Sequence, residues 1–230
     1  MSASILHLAD VTVPSGAHYE TGLSDVSFEL NPGDLLLVRM ERENERLPLA
    51  DAVQGLIETE GGSVSFLSEK WTDLSTDRAA AQRGRIGRLF DDEGWISDLD
   101  VEENILLAQL HHTKRCETEI IGEALALARV FGLPGLPRGR ADKVRRWDLR
   151  KAACIRAFLG RPRLIIIEQP IRGVYADLMA PLLNAVQSAR RRGAAVLWTM
   201  TDLQMWKHAG MHSTSRGRMR GSEMQMEDNS

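Results

Sequence analysis

The stretch RLIIIEQP, residues 163–170, decides the fold class, because four large apolar residues in a row end in a carboxylate. A continuous apolar run of this length suits a strand that is buried on both faces, as in a parallel sheet. Similar runs are DLLLV at 34–38, which follows the turn NPGD, and AAVLWTM at 194–200. Helical patterns separate these runs, and the alternation of strand and helix predicts an α/β fold with a parallel sheet.

The remaining elements are predicted from periodicity, capping and turn residues. Further strands are predicted at 5–13, 25–31, 60–67 and 84–90, and helices at 48–57, through most of 101–132, at 146–160 and at 176–191. The chain is therefore predicted to form one domain with three parts. An α/β core with a small β subdomain covers 1–91 and 161–212, a helical subdomain covers 92–160, and a polar tail over 213–230 is expected to fray.

Composition narrows the class of protein. The chain has 230 residues, and 29 Lys and Arg against 32 Asp and Glu leave a net charge of −3, which does not favour nucleic acid as a partner. No apolar run reaches the ~20 residues that a membrane helix needs, and the N-terminus lacks the pattern of a signal peptide. Cys116 and Cys154 form no motif and are expected to be reduced. His111 and His112 lack a further ligand at the right spacing, so no metal site is expected.

Three segments carry a family resemblance. They are LSDVSFELNPGDLLLV at 23–38, SDLDVEENILL at 97–107 and AFLGRPRLIIIEQP at 157–170. In this order and spacing they resemble the ATP-binding cassette, the nucleotide-binding subunit of ABC transporters: the lead-in to its phosphate loop, the stretch after its Q-loop and the run into its Walker B motif. The resemblance covers nearly the whole chain. It implies a P-loop NTPase-like ABC ATPase fold, with a mostly parallel core sheet, a small antiparallel β subdomain and a helical subdomain.

The position of the family's phosphate loop falls on RMERENERLP, residues 39–48. The family's glycine positions hold Met40, Glu43 and Glu45, its lysine position holds Arg46, and its hydroxyl positions hold Leu47 and Pro48. A phosphate loop needs glycines because its backbone amides must approach the anion closely. A side chain forced into the left-handed conformation costs ~1–2 kcal/mol, and a glutamate beside a phosphate adds repulsion. The resemblance therefore implies a phosphate loop that has lost ATP binding.

The charges of this loop alternate in sign. Arg39, Arg42 and Arg46 are predicted to pair locally with Glu41, Glu43 and Glu45. Such exposed pairs contribute only ~0–1 kcal/mol each, so they would fill the vacated site without driving folding.

The other nucleotide motifs of the family also depart from its pattern. The Q-loop glutamine falls on Asp91, the Walker B aspartate on Glu168, the general base on Gln169, the switch histidine on Thr201 and the D-loop aspartate on Tyr175. A glutamine cannot take a proton from water at neutral pH. The signature falls on Val144, Arg145, Arg146, Trp147 and Asp148, without serine or a glycine pair. The aromatic residue expected to stack on adenine stays open, because Tyr19 is nearby but Pro14 lies nearer its place.

These departures predict a catalytically inactive, degenerate subunit of an ABC transporter, with a structural or coupling role. No cofactor is expected; ATP and Mg²⁺ would bind only if residual affinity survives. The resemblance implies transmembrane permease subunits as partners, and a second ABC ATPase subunit in a hetero- or homodimer. The chain would then lie at the cytoplasmic face and touch the membrane only through its partners. The residues expected to contact partners are Asp91, Trp95, Trp147 and Tyr175.

Two other functions stay open on the sequence. One is a stand-alone cytosolic interaction or regulatory protein that has reused the fold, and the other is a residual enzyme or nucleotide sensor, a weak ATP binder or ATPase that uses Arg46 and Glu168. The basic cluster of Arg145, Arg146, Arg150 and Lys151 is read first as a solvated helix face, and second as a surface for a partner or a phospholipid headgroup.

Overall fold

The computed structural model describes residues 4–16, 19–41, 47–92, 94–169, 176–207 and 212–227. Ten strands in these ranges join into one sheet: β1 Leu6–Val13, β2 Leu23–Leu30, β3 Leu35–Met40, β4 Gly61–Phe66, β5 Glu69–Lys70, β6 Ile86–Leu89, β7 Leu164–Glu168, β8 Ala195–Met200, β9 Ser215–Arg220 and β10 Glu223–Glu227. Their order across the sheet is β5-β4-β1-β2-β10-β9-β3-β8-β7-β6.

Seven α-helices lie in the same ranges: α1 Leu49–Val53, α2 Thr76–Arg83, α3 Val101–His112, α4 Glu117–Val130, α5 Arg146–Phe158, α6 Ala176–Arg191 and α7 Leu203–Trp206. Among the residues described, no helix combines the length and the apolar character that a bilayer crossing requires.

The parallel part of the sheet contains the three apolar runs. β3, β8, β7 and β6 are parallel neighbours, and every residue of β8 is buried. Alternate residues point to opposite faces of a strand. Ile165 and Ile167 accordingly pack into the core beneath the helices, whereas Leu164 and Ile166 pack into the core shared with the antiparallel strands and α1. The prediction of strands buried on both faces is confirmed.

The antiparallel part is built from the first third of the chain. β1 pairs with β2 on one side and with β4 on the other, and β4 pairs with β5. The mostly parallel core with an attached antiparallel part confirms the predicted fold class.

The prediction of a frayed tail is wrong for residues 215–227. These residues form a hairpin of β9 and β10, in which β9 runs parallel to β3 and β10 makes one bridge to β2, between Glu223 and Ser24. β9 satisfies the backbone groups of β3 that would otherwise lie open on that side, and its Met219 is 1% exposed. Backbone pairing and one apolar side chain thus hold a polar segment in the centre of the sheet.

The prediction that most of 101–132 is helical is confirmed, whereas the helix predicted over 48–57 is shorter than expected. The helical pattern over 101–132 is divided between α3 and α4, because the backbone of Thr113 is extended and ends α3. The hydroxyl of Thr113 donates a 2.6 Å hydrogen bond back to the carbonyl of Gln109. The helix predicted over 48–57 ends at Val53. Gly55 then adopts φ +60° beneath Trp71, where a Cβ would overlap the indole ring.

The helices α3, α4, α5 and α6 cover one face of the parallel strands. α5 lies unusually close to β6: a Cβ on Gly87 would overlap the backbone carbonyl oxygen of Ala157. This close approach fixes the position of β6, and with it the position of Arg88, which follows Gly87 in the strand.

Candidate functional site

A cavity of about 320 Å³ opens at the carboxyl ends of β3, β6 and β7, beside the start of α1. Ligands commonly bind at this edge of a parallel sheet. The charged residues that line it, among those described, are four carboxylates, Asp51, Asp91, Asp92 and Glu168, and one cation, Arg88. The described lining is therefore acidic.

Arg88 is the centre of the polar network in this cavity. Its Nε lies 2.6 Å from Oε2 of Glu168, and its Nη2 lies 3.0 Å from Oε1 of the same carboxylate. Its Nη1 donates to Asp51 and, over 2.8 Å, to Oε1 of Gln54. The guanidinium also lies 4.4 Å from the ring centroid of Phe90. A two-pronged pair of this geometry is among the stronger ion pairs in proteins.

Burial and pairing compete at this network. Burial disfavours the charged guanidinium of Arg88, but hydrogen bonds and attraction from Glu168 and Asp51 prevail and raise its pKa. Burial also raises the pKa of Glu168, and Arg88 offsets only part of that effect. Tyr19 donates its hydroxyl to Asp51, and burial together with this hydrogen bond raises the pKa of Tyr19 to about 12. The cluster is thus a compact set of interdependent charges.

Gln169 forms part of the cavity wall in an unfavourable conformation. Its φ is +39°, in the left-handed region that non-glycine residues rarely adopt. Its backbone amide donates to the carbonyl of Thr199 over 3.0 Å. Its side chain is 7% exposed, its Nε2 lies 3.8 Å from the sulfur of Met40, and its Oε1 has no hydrogen-bond partner among the described residues. Strain and an unsatisfied buried acceptor together are typical of a functional site.

The structure brings several of the sequence-predicted positions together at this cavity. Met40, Leu47, Asp91, Glu168 and Gln169 line it, and Pro48 immediately precedes α1. Thr201 is not among the lining residues, where Thr199 stands instead. Glu43, Glu45, Arg46 and Tyr175 lie outside the described residues, so their predicted places stay predictions.

The predicted local charge pairing is not seen for the part of the loop that is described. Nε of Arg220, on β9, lies 3.8 Å from Oε1 of Glu41. The nearby Arg39 has a buried Nε without a hydrogen-bond partner among the described residues. Glu41 is therefore joined to the hairpin and not to Arg39, because β9 runs alongside β3.

Sequence reasoning missed Arg88, Asp51 and Gln54. Arg88 had a detectable signal, since it stands between Gly87 and Leu89 in the strand and so faces away from both. Asp51 and Gln54 are three residues apart, a spacing that places both on one side of α1. Asp51 and Gln54 reach Arg88 only because α1 and β6, which are far apart in sequence, lie side by side in the fold. No local sequence pattern contains that information.

The positions that match the family's signature lie at the start of α5. Arg145 and Arg146 are exposed there, and Trp147 packs partly against the helical core with Nζ of Lys151 5.3 Å from its ring centroid. Arg150 is only 8% exposed. The interpretation of all four basic residues as one solvated face is therefore wrong for Arg150, because the helix turns that residue inward.

A second concavity, of about 380 Å³, lies between α3 and the segment that follows β6. Its apolar lining includes Phe90, Ile96 and Leu107, and Ile96 is 47% exposed. Arg156 borders it, with its guanidinium 4.5 Å from the ring centroid of Trp95 and its Nη1 2.7 Å from the carbonyl oxygen of Gly94. We call this concavity the α3 groove.

The described cavity residues do not suit an unaccompanied triphosphate. Four carboxylates would repel it, and the guanidinium of Arg88 is already engaged by Glu168 and Asp51. The carboxylate oxygens of Glu168 are of the type that Mg²⁺ binds, but Arg88 holds both of them.

Comparison with known proteins gives the chain its relatives. No family model matches the sequence. It is 24% identical over 198 residues to the phosphonates import ATP-binding protein PhnC 2 of a Synechococcus strain, covering 81% of this chain and 74% of that protein. It is 27% identical over 196 residues to the phosphonates import ATP-binding protein PhnC of Alcaligenes faecalis, covering 80% of this chain and 71% of that protein.

The fold has close counterparts among solved structures. The dimeric, post-hydrolysis state of the ATP-binding cassette MJ0796, bound to ADP and Pi, superposes with a TM-score of 0.81 at 17% identity, covering 96% of this chain and 97% of that one. This likeness shows the fold, and it confirms the resemblance found in the sequence.

The same comparisons correct the prediction that the chain is not an enzyme. Its relatives are ATP-binding subunits of import transporters, and the alignment with them runs through most of the cassette. An inactive chain is therefore not what the comparisons support. The chain has the ABC ATPase fold, and its homologues are ATP-binding subunits of ABC transporters.

Proposed function

We propose that this chain is the cassette subunit of an ABC transporter and couples its nucleotide-site cavity to transmembrane permease subunits. It lies at the cytoplasmic face and reaches the membrane through those subunits. A second cassette subunit is its other partner, as in the dimer of the MJ0796 cassette. The homologues and the fold support this role, and one contact in the structure carries it.

That contact is the ring of Phe90, which belongs to both concavities. The guanidinium carbon of Arg88, in the cavity, lies 4.4 Å from the centroid of this ring. The guanidinium carbon of Arg156, at the α3 groove, lies 5.3 Å from the same centroid. A guanidinium attracts an aromatic ring, and two of them fix its position. A displacement of Arg88 in the cavity would therefore shift the ring of Phe90, which also lines the α3 groove.

The α3 groove has the chemistry of a site for a helix. Its apolar residues are bordered by Arg156, His111 and His112, and Ile96 leaves a large apolar surface exposed. An amphipathic helix binds such a groove by its apolar face. A cytoplasmic helix of a permease subunit is the ligand that this role requires, and Trp95 stiffens the groove wall through Arg156.

The cavity supports a nucleotide site that has been rebuilt around Arg88. The matched proteins bind ATP, whereas the carboxylate of Glu168 here pairs with an internal cation. A magnesium nucleotide that used Glu168 would have to displace Arg88, which is the residue in contact with Phe90. Binding in the cavity and movement at the groove would thus be one event.

A pull-down from detergent-solubilised membranes tests the transporter role. The tagged chain is expected to retain multi-span permease subunits, identified by mass spectrometry, and Ile96→Glu is expected to release them. Leu125→Glu is the matched control, because Leu125 is an exposed apolar residue of α4 outside the groove lining. A wild-type chain that recovers no multi-span subunit, or equal recovery with both variants, would show that the proposal is wrong. Calorimetry with Mg-ATP and phosphate release by the recovered complex measure what the cavity does with nucleotide.

A further inference from the structure

Three of the nine methionines of the chain lie side by side on the hairpin of β9 and β10. Met219 of β9 is paired directly with Met224 of β10, and Gly217 is paired directly with Met226. Side chains of directly paired residues point to the same face of a sheet, and so do side chains two residues apart in one strand. Met219, Met224 and Met226 therefore share one face, and we call them the methionine cluster.

Gly217 provides the space in which two of these side chains meet. A Cβ on Gly217 would lie 2.9 Å from Cε of Met224 and 3.3 Å from Sδ of Met226. The methyl carbon Cε is bonded directly to Sδ, so both thioethers lie over the same glycine. Gly217 does not have a positive φ, so its backbone conformation does not require glycine. What the position requires is the absence of a side chain, which leaves the two thioethers room to converge.

Apolar packing explains Met219 and Met224 but not Met226. Met219 is 1% exposed, and Met224 packs against the core that the antiparallel strands share with α1. Met226 is 44% exposed, and yet its sulfur is turned inward against Gly217. The same exposure gives solvent a path to the cluster. An ion that arrives from solution can therefore reach the sulfur atoms.

No charged residue of the hairpin, residues 215–227, shares the face of the methionine cluster. The arginines of β9 alternate with Gly217 and Met219 and so point to the other face; they are Arg216, Arg218 and Arg220. The glutamates of β10 alternate with its methionines in the same way, and Glu227 pairs with Arg218 on that other face. The donors that the hairpin presents to a cation at the cluster are therefore thioethers, without a repelling arginine among them.

We propose that the methionine cluster binds a soft monovalent cation, of the class of Cu(I), through the sulfur atoms of Met219, Met224 and Met226. Thioether sulfur is polarisable and uncharged, and soft ligands of this kind select Cu(I), whereas carboxylate and carbonyl oxygens suit Mg²⁺. The site consists of hairpin residues alone and requires neither nucleotide nor permease. It therefore goes beyond the proposed function and does not depend on it.

Calorimetric titration with Ag(I), a redox-stable ion of similar softness, tests the site in chloride-free buffer. The full chain with Cys116→Ser, which removes the exposed thiol as a competing ligand, is expected to bind one ion. Adding M224L/M226L is expected to abolish this binding, because leucine keeps the apolar volume and removes the sulfur. Adding M179L instead is the matched control and should leave binding unchanged, since Met179 lies on α6 and packs against the helical core.

Circular dichroism establishes that each variant is folded. M226L alone changes only the most exposed member of the cluster, and it is expected to weaken binding even if the double variant does not fold.

Two further measurements identify the ligand atoms. Thioethers carry no proton, whereas histidine is largely protonated at about pH 5, below its ordinary pKa of about 6.5. Binding by thioethers is therefore expected to persist at about pH 5. In protein labelled with carbon-13 at the methionine methyl groups, the NMR signals of the methionine cluster are expected to move when Ag(I) is added, and the signal of Met179 is expected to stay in place.

The outcomes separate this proposal from the transporter role. The proposal is overturned if the Cys116→Ser chain binds no Ag(I), if M224L/M226L binds as tightly as M179L, or if binding is lost at about pH 5. Methyl signals that move only for methionines outside the cluster would overturn it as well. None of these results affects the recovery of permease subunits in the pull-down, and a failed pull-down would leave the thioether site in place.

Discussion

Arg88 and Glu168 form a two-pronged ion pair across the neighbouring strands β6 and β7, with N–O distances of 2.6 and 3.0 Å. Their side chains are 10% and 19% exposed, so water screens the pair only in part. The pair stands where the resemblance placed the metal-binding carboxylate of Walker B. The cation of Arg88 therefore compensates the partly buried carboxylate of Glu168. It also occupies the carboxylate oxygens that a ligand in the cavity would otherwise contact.

Removing the cation of this pair should destabilise the protein strongly. Arg88→Met leaves Glu168 and Asp51 partly buried without their counter-ion, and breaking a buried pair in this way costs about 3 kcal/mol. Urea unfolding followed by circular dichroism measures the loss. Arg78→Met is the control, because Arg78 pairs with Glu69 at the surface and is 58% exposed. That variant should unfold near the wild-type midpoint; equal losses for the two variants would contradict the importance of burial.

The loss caused by Arg88→Met should depend on pH through Glu168. Burial raises the pKa of Glu168 in the folded protein, so protonation of this carboxyl favours the folded state, and that contribution is lost as the pH rises through the folded pKa. Without Arg88 the pKa rises further, because the offsetting cation is gone. The single variant should therefore be less stable than R88M/E168Q at about pH 8, and the difference should shrink toward about pH 4.5, near the ordinary value for glutamate. A difference that does not change with pH would mean that Glu168 is not the group responsible.

A methyl group at Gly87 should separate α5 from β6. The added Cβ overlaps the carbonyl oxygen of Ala157, a backbone atom that cannot rotate away, and overpacking of this kind costs ~1–3 kcal/mol. Gly87→Ala should therefore lower the free energy of unfolding. The matched control is Gly122→Ala, since Gly122 is exposed in α4 with nothing within 4 Å of the added Cβ. There alanine should stabilise by ~0.5–1 kcal/mol, and two substitutions with the same sign would refute the close approach of α5.

The two cysteines should differ in reactivity toward alkylating reagents. Cys116 is exposed, and hydrogen bonding with Thr118 lowers its pKa, so it forms the reactive thiolate more readily. Burial raises the pKa of Cys154 to about 12 and hides its thiol. Mass spectrometry of the native protein treated with iodoacetamide should show one adduct, which Cys116→Ser removes. Both thiols should react in urea, and rapid double labelling of the native chain would contradict the packing of α5.

Local pattern was enough to find the parallel strands, because RLIIIEQP and DLLLV are buried on both faces and leave few alternatives. It was not enough for β9, whose SRGRMR buries only Gly217 and Met219 and looks like an exposed basic segment. The period-two spacing of those two residues, followed by a turn at Gly221, was the available signal. Its meaning depends on the open side of β3, which lies nearly the whole chain away in sequence.

The candidate site was predictable only at the positions that align with the motifs of the family. Asp91, Glu168 and Gln169 do line one cavity, as their aligned positions indicate. Arg88 could not be placed in this way, because its partners Asp51 and Glu168 come from α1 and β7, and only the register of β6 against β7 brings them together. A motif match identifies the positions at which the family has its functional groups. The ion pair of Arg88 and Glu168 depends instead on the residues that occupy and surround those positions in this chain.

The hairpin of β9 and β10 has a consequence for how the protein is made. These two strands are the connection between the antiparallel strands, which end at β2, and the parallel strands, which begin at β3. Leu36 pairs with Ser215, so its neighbour in the sheet is synthesised only after nearly all the rest of the described chain. Domains that emerge from the ribosome can fold as they appear, but here the two halves of the sheet have no strand between them until residues 215–227 have left the exit tunnel. Closure of this sheet is therefore a late event in biosynthesis, and a chain whose synthesis stops before residue 215 has two further open β edges, at β2 and β3.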